Sequence, residues 1–167
     1  MISSIKIFHD YWTMESGKTR RIMEALTDAS LTQKITNDHR SLARLAWHLI
    51  QSLPEMANRT GLAVDGPDEH APVPKSADAV KKAYDRAASS LLNEVTQKWD
   101  DMTLQKEDDM YGEMWKRSNT LMVLINHEIH HRAQMTVLMR QAGLKVPGIY
   151  GPSKDEWANI GMKPPEV

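Results

Sequence analysis

The segment "RSNTLMVLINHEIHHRAQMTVLMRQAG", residues 117–143, decides the fold. Projected at about 100° per residue, Leu121, Leu124, Met135, Leu138 and Ala142 share one face of a long helix. Gly143 follows at the C′ position, where a left-handed residue ends a helix. The same segment crowds His127, Glu128, His130 and His131 into five positions. His127 and His131, four apart, fall on or beside the apolar face, so their imidazoles can converge on one ion. His130 points about 100° away from His131, and all three cannot share that ion.

Working outward, the helical period persists. Ile5, Phe8, Trp12, Thr19, Ile22, Met23 and Leu26 are mostly three or four apart, which predicts a first helix over residues 5–26. "TNDH", Thr36 to His39, offers N-caps to a second helix striped by Leu42, Leu45, Leu49, Leu53 and Met56. "GLAVDGPDEHAPVPKS" then reads as a crossing loop. Ser76 is placed to cap a third helix, whose inner face is Ala79, Val80, Ala83, Ala87, Leu91 and Val95. The polar stretch "KWDDMTLQKEDDMYGEMW" fits a short turn or a hairpin equally. Four amphipathic helices with one long crossover between the second and third predict an all-α, four-helix bundle. Residues 1–167 are expected to form one domain, with the Pro/Gly-punctuated tail 143–167 packed on the bundle.

Composition narrows the function. With 41% hydrophobic and 26% charged residues the chain is a folding one, and a net charge of −1 gives no bulk attraction to nucleic acid or acidic lipid. Without cysteine there is neither a disulfide nor a protein thiolate, which suits a reducing cytoplasm. "MISSIKIFHDYW" has no apolar signal core and no apolar run is long enough to cross a membrane, so a cytoplasmic location is expected.

The histidines need weighing individually. A lone histidine on an apolar face, such as His48 within "LARLAWHLIQSL", is more often a core or rim residue than a ligand. The His127/His131 pair is more specific, because two buried imidazoles without partners are costly. His9, His39 and His70 lie off the first stripe, at a helix start and in the crossing loop, and are weaker candidates. "HEIHH" also matches the H-E-x-x-H zinc-protease helix, with Glu128 as base and Glu156 as a possible third ligand. An all-helical chain offers that reading no sheet edge for a peptide. Glu128 beside His127 could orient a ligand or move a proton, or else pair with Arg132, its i+4 neighbour. Most of the tryptophans and methionines at helical spacing suit core or subunit interface. Met122, Ile125 and Ile129 lie outside the histidine stripe and favour burial by a second chain.

The run "NHEIHHRAQMTVLMRQAGLKVPGIYGPSKDEW", with "SLARLAWHL" and Tyr11-Trp12 upstream, resembles the DinB/YfiT-like family of metal-binding four-helix proteins. In that family a histidine late in the second helix and an H-x-x-x-H pair in the fourth bind a divalent metal, and Arg, a small residue and Gln follow the pair. The resemblance therefore implies His48, His127 and His131 as ligands, with Arg132, Ala133 and Gln134 after them. It also implies a homodimer, and either transfer of a low-molecular-weight thiol such as bacillithiol or mycothiol, or metal-dependent hydrolysis. Zn²⁺, Ni²⁺ or Fe²⁺ would each accept three imidazoles. An exchangeable position would acidify a water or make a thiol nucleophilic. A non-catalytic, metal-stabilised dimeric binding protein is the alternative. DNA binding finds no support in the residues.

Overall fold

The computed structural model describes residues 2–166. Four helices form the body: α1 (Ile5–Glu24), α2 (Leu42–Asn58), α3 (Ala77–Lys98) and α4 (Arg117–Gln141). A two-stranded antiparallel hairpin, β1 (Glu107–Met110) and β2 (Glu113–Lys116), leads into α4. Each of α1, α2 and α3 starts at a serine whose hydroxyl accepts an orphan backbone N–H: Ser4 from Ile7, Ser41 from Arg44 and Ser76 from Ala79. The cap of α2 is thus Ser41, and not a residue of "TNDH". Thr36 instead bonds Asp38 and His39 in a turn ahead of the helix.

Helix α4 ends in a Schellman arrangement. Gly143, at φ +76°, donates to the Arg140 carbonyl, and the Leu144 N–H reaches back to Met139. The hairpin resolves the undecided polar stretch. Its two-residue turn needs positive φ at both Tyr111 and Gly112, and Tyr111 is held there by a hydrogen bond to Glu55 and by Arg59 over its ring.

Around the bundle the order is α1, α3, α2, α4, so α1 and α2 are diagonal. Phe8, Trp12, Ile22, Leu49, Ile50, Leu53, Tyr84, Leu91, Val95, Leu121 and Leu124 fill the centre. The crossing loop is pinned to α2 by the Trp47 indole on the Ala71 carbonyl, Gln51 on that of Asp68, and Asn58 on both backbone groups of Val64. Trp12, Trp47, Trp99 and Met110 are core residues. Ile125 is fully buried within its own chain, and Met122 and Ile129 pack half-buried against the same core. Helix α4 faces both α1 and α2 and so carries two apolar sides. In the tail, Val146 is buried, and the Glu156 carboxylate accepts the backbone N–H groups of Gly148 and Ser153.

Candidate metal centre

Helices α2 and α4 bring His48, His127 and His131 together. His48 sits in the first half of α2 rather than late in it, facing the α4 pair. Ring centroids are 5.0 Å apart for His48–His127, 4.8 Å for His48–His131 and 4.3 Å for His127–His131, and each pair stands edge to face. One ring nitrogen from each lies within 4.8 Å of the others, so the cluster could hold a metal ion. Among the described residues no other His, Asp or Glu joins this group.

The donor chemistry fits an ion. His127 Nε2 and His131 Nε2 are 3.0 Å apart. Two imidazole nitrogens on one tetrahedral ion, each about 2.0–2.1 Å from it, stand roughly 3.3 Å apart, so little movement separates the two arrangements. His131 Nδ1 is 2.8 Å from Gln134 Oε1, an acceptor, which places the proton on Nδ1 and leaves the Nε2 lone pair directed into the cluster. Burial pulls the His48 and His127 imidazoles down to about 4, helped by the positive charge of Arg40, and burial lowers His131 as well. All three are neutral near pH 7, the form that ligates.

His131 also lines a cavity of about 420 Å³, with Gln134, Leu45, Leu138, Val137, Ile35, Asp38, His39 and Arg40. His130, exposed on the next face, is tied to the cluster indirectly: Gln134 Nε2 lies 3.0 Å from its Nε2. One amide therefore bridges both histidines. His9 and His70 are exposed beside Asp10 and Glu69 and take no part in the three-histidine cluster, whereas His39 reaches the cavity rim.

Glu128 departs from expectation. Its carboxylate faces α1 and α3, away from the imidazoles, where Oε1 accepts the hydroxyls of Thr19 at 2.6 Å and Tyr84 at 2.7 Å. It does not pair with Arg132 directly. Arg132 is itself buried, bound to the Glu15 carboxylate and carbonyl, Thr19 and Tyr150. Burial raises the Glu128 carboxyl to about 6 against the pull of those two hydroxyls. At 100° per residue, position 128 turns off the His127/His131 face, and the two hydroxyls complete the separation. The protease reading fails with it, since its base faces the wrong helix and Glu156 caps a loop in the tail.

Sequence reasoning missed Glu15. It occupies the gap in the first stripe between Trp12 and Thr19, and a carboxylate there, at full burial, needed a buried cation on another helix. The signal was the interrupted stripe itself.

A helical bundle with three convergent imidazoles between diagonal-free neighbours α2 and α4 defines a class of histidine-centred, metal-capable four-helix proteins. The chain belongs to the DinB family, which it matches over residues 1–166. It is 40% identical over 167 residues, the whole of both chains, to the uncharacterised protein YrdA of Bacillus subtilis. A crystal structure of a DinB-like protein from Bacillus cereus is similar at TM-score 0.87 and 41% identity, covering 90% of this chain and all of that one. The DinB-like protein YjoA of Bacillus subtilis shares the fold at TM-score 0.66 and 18% identity, over 85% of this chain and 96% of that one. No helix among the described residues is long and apolar enough to cross a membrane.

Proposed function

We propose that the protein is a metal-dependent transferase that joins a low-molecular-weight thiol to an electrophilic small molecule. The observation that carries this reading is the three-imidazole cluster, without a further His, Asp or Glu in the group, one member of which, His131, lines a cavity with an aliphatic wall. When bound, Zn²⁺, Ni²⁺ or Fe²⁺ supplies Lewis acidity that favours the thiolate form of a thiol. His48, His127 and His131 would hold it, and Gln134 fixes the tautomer of His131. The chain contains no cysteine, so the sulfur nucleophile comes from outside. Leu45 and Leu138 give the cavity a dry wall against which an electrophile can lie. In the transfer, sulfur bonds to the electrophilic carbon, the leaving group departs with its electron pair, and the thiol proton passes to solvent. We place the protein in the cytoplasm as a homodimer, the setting in which such a thiol stays reduced.

The test begins with metal content, by plasma mass spectrometry, of untagged wild type and His127→Ala. Roughly one equivalent in wild type, lost in the variant, is expected. Thiol consumption is then followed with a chloronitroarene as electrophile. Metal-dependent ester cleavage without added thiol would replace transfer by hydrolysis. Absence of metal from wild type after incubation with Zn²⁺ or Ni²⁺ would remove the enzyme reading.

A further inference from the structure

The cavity beside the histidines has walls of two kinds. One is aliphatic: Leu45 and Leu138 are buried at its base, while Ile35 and Val137 stand at its rim 62% and 49% exposed. Two large aliphatic side chains that line a cavity and stand open to water are sites for an apolar ligand body. The other wall is polar, formed by Asp38, His39, Arg40, His131 and Gln134.

Most of that polar wall is already committed. Asp38 accepts from Thr36 and lies beside His39, and His39 Nδ1 is bonded to Thr36. Gln134 spends its carbonyl on His131 and its amide N on His130. Arg40 is different. Among the described residues no carboxylate lies within ion-pair distance of it, since Asp38, its neighbour in the rim, is turned to His39. Arg44, one turn further on, gives its guanidinium to Gln51.

We infer that the cavity takes a small amphipathic carboxylate, its chain lying between Ile35, Leu45, Val137 and Leu138 and its carboxylate received by the Arg40 guanidinium. This inference rests on the reading of the histidine cavity as the substrate site. A guanidinium presents two parallel N–H donors to a carboxylate, which suits one planar monoanion. Asp38 at the same rim opposes a doubly charged group, so a phosphate monoester is disfavoured. His131 lines the same cavity, so such a ligand lies within the site where the chemistry is proposed.

Calorimetric titration with octanoate, octanol and octyl phosphate tests it, using wild type, Arg40→Gln and His127→Ala. Octanoate is expected to bind wild type and His127→Ala alike, and Arg40→Gln about tenfold more weakly. Octanol should bind wild type only as octanoate binds Arg40→Gln. Equal octanoate affinity in wild type and Arg40→Gln overturns the inference, as does octanol matching octanoate or octyl phosphate exceeding it. Binding lost in His127→Ala but kept in Arg40→Gln would assign the carboxylate to the metal centre and likewise overturn it. Because His127→Ala lacks the proposed metal site, the titration reads out whether or not the protein proves to be a metalloenzyme.

Discussion

Helix α4 turns His131 toward α2 and Arg132 toward α1, and these sequence neighbours meet opposite surroundings. On the α1 side most polar groups are answered from within the chain, the second Glu128 oxygen, Oε2, being buried without a partner. Arg132 has Glu15, Thr19 and Tyr150, and Glu128 Oε1 has Thr19 and Tyr84. On the α2 side three neutral imidazoles turn their nitrogens on one another, and one borders a cavity. Hydrogen bonds that are complete within the chain stabilise the fold, and donors left converging on a small volume are available to a ligand. The comparison teaches that burial of a polar residue does not mark function. Glu128 is more buried than any of the three histidines and serves the scaffold.

The largest expected effect lies on the α1 side. Glu15→Ala leaves the Arg132 guanidinium buried without its carboxylate, which should cost about 3–5 kcal/mol of stability. Chemical denaturation of the metal-free protein measures it, with metal stoichiometry expected to be unchanged. If Glu15→Ala lowered metal binding at constant stability, the separation of the two faces would be wrong.

The α2 side should respond in the opposite sense. Gln134→Ala removes the acceptor of His131 Nδ1 and frees the ring to take the other tautomer. Metal affinity, measured by competition with a chromophoric chelator, is expected to fall about 10–100-fold. Stability of the metal-free protein should change by no more than about 0.5 kcal/mol, since Gln134 is exposed. A large stability loss with intact affinity would make Gln134 a packing residue.

Much of this was legible in the sequence. Helices α1 to α4 follow from stripes of period near 3.6, and α3 and the end of α4 were placed by Ser76 and Gly143. The His127/His131 pair follows from helical geometry, whereas His48 needed the family resemblance, because one ring on an apolar stripe carries little information. The hairpin was hidden for a physical reason. Of its strand residues only Met110 is buried, so no apolar alternation shows in "EDDM" or "EMWK". The destination of Glu128 was hidden too, since its partners Thr19 and Tyr84 come from helices 109 and 44 residues away along the chain.

The smallest expected effect is a pH dependence that belongs to the α1 side alone. Burial works to raise the Glu15 carboxyl, but hydrogen bonds from Lys18, Arg132 and Tyr150 outweigh it and hold the group below its ordinary value. A carboxylate whose folded pKa is depressed binds fewer protons folded than unfolded near that pKa. Its contribution is therefore fully present above the unfolded value, about 4.3, and is lost as pH falls through the folded one. Other carboxylates do the same, Asp85 beside Arg20 and Lys81 among them, so wild-type acid sensitivity alone does not isolate Glu15. Glu15→Gln isolates it, because the amide keeps the shape but has no proton to bind. Denaturation curves of both proteins from about pH 7 down to about pH 3.5 should converge, the variant losing less stability over the descent. Parallel curves would mean that the Glu15 carboxyl titrates at its unfolded value, and that Arg132 is held by the Thr19 and Tyr150 hydroxyls and the Glu15 carbonyl without help from charge.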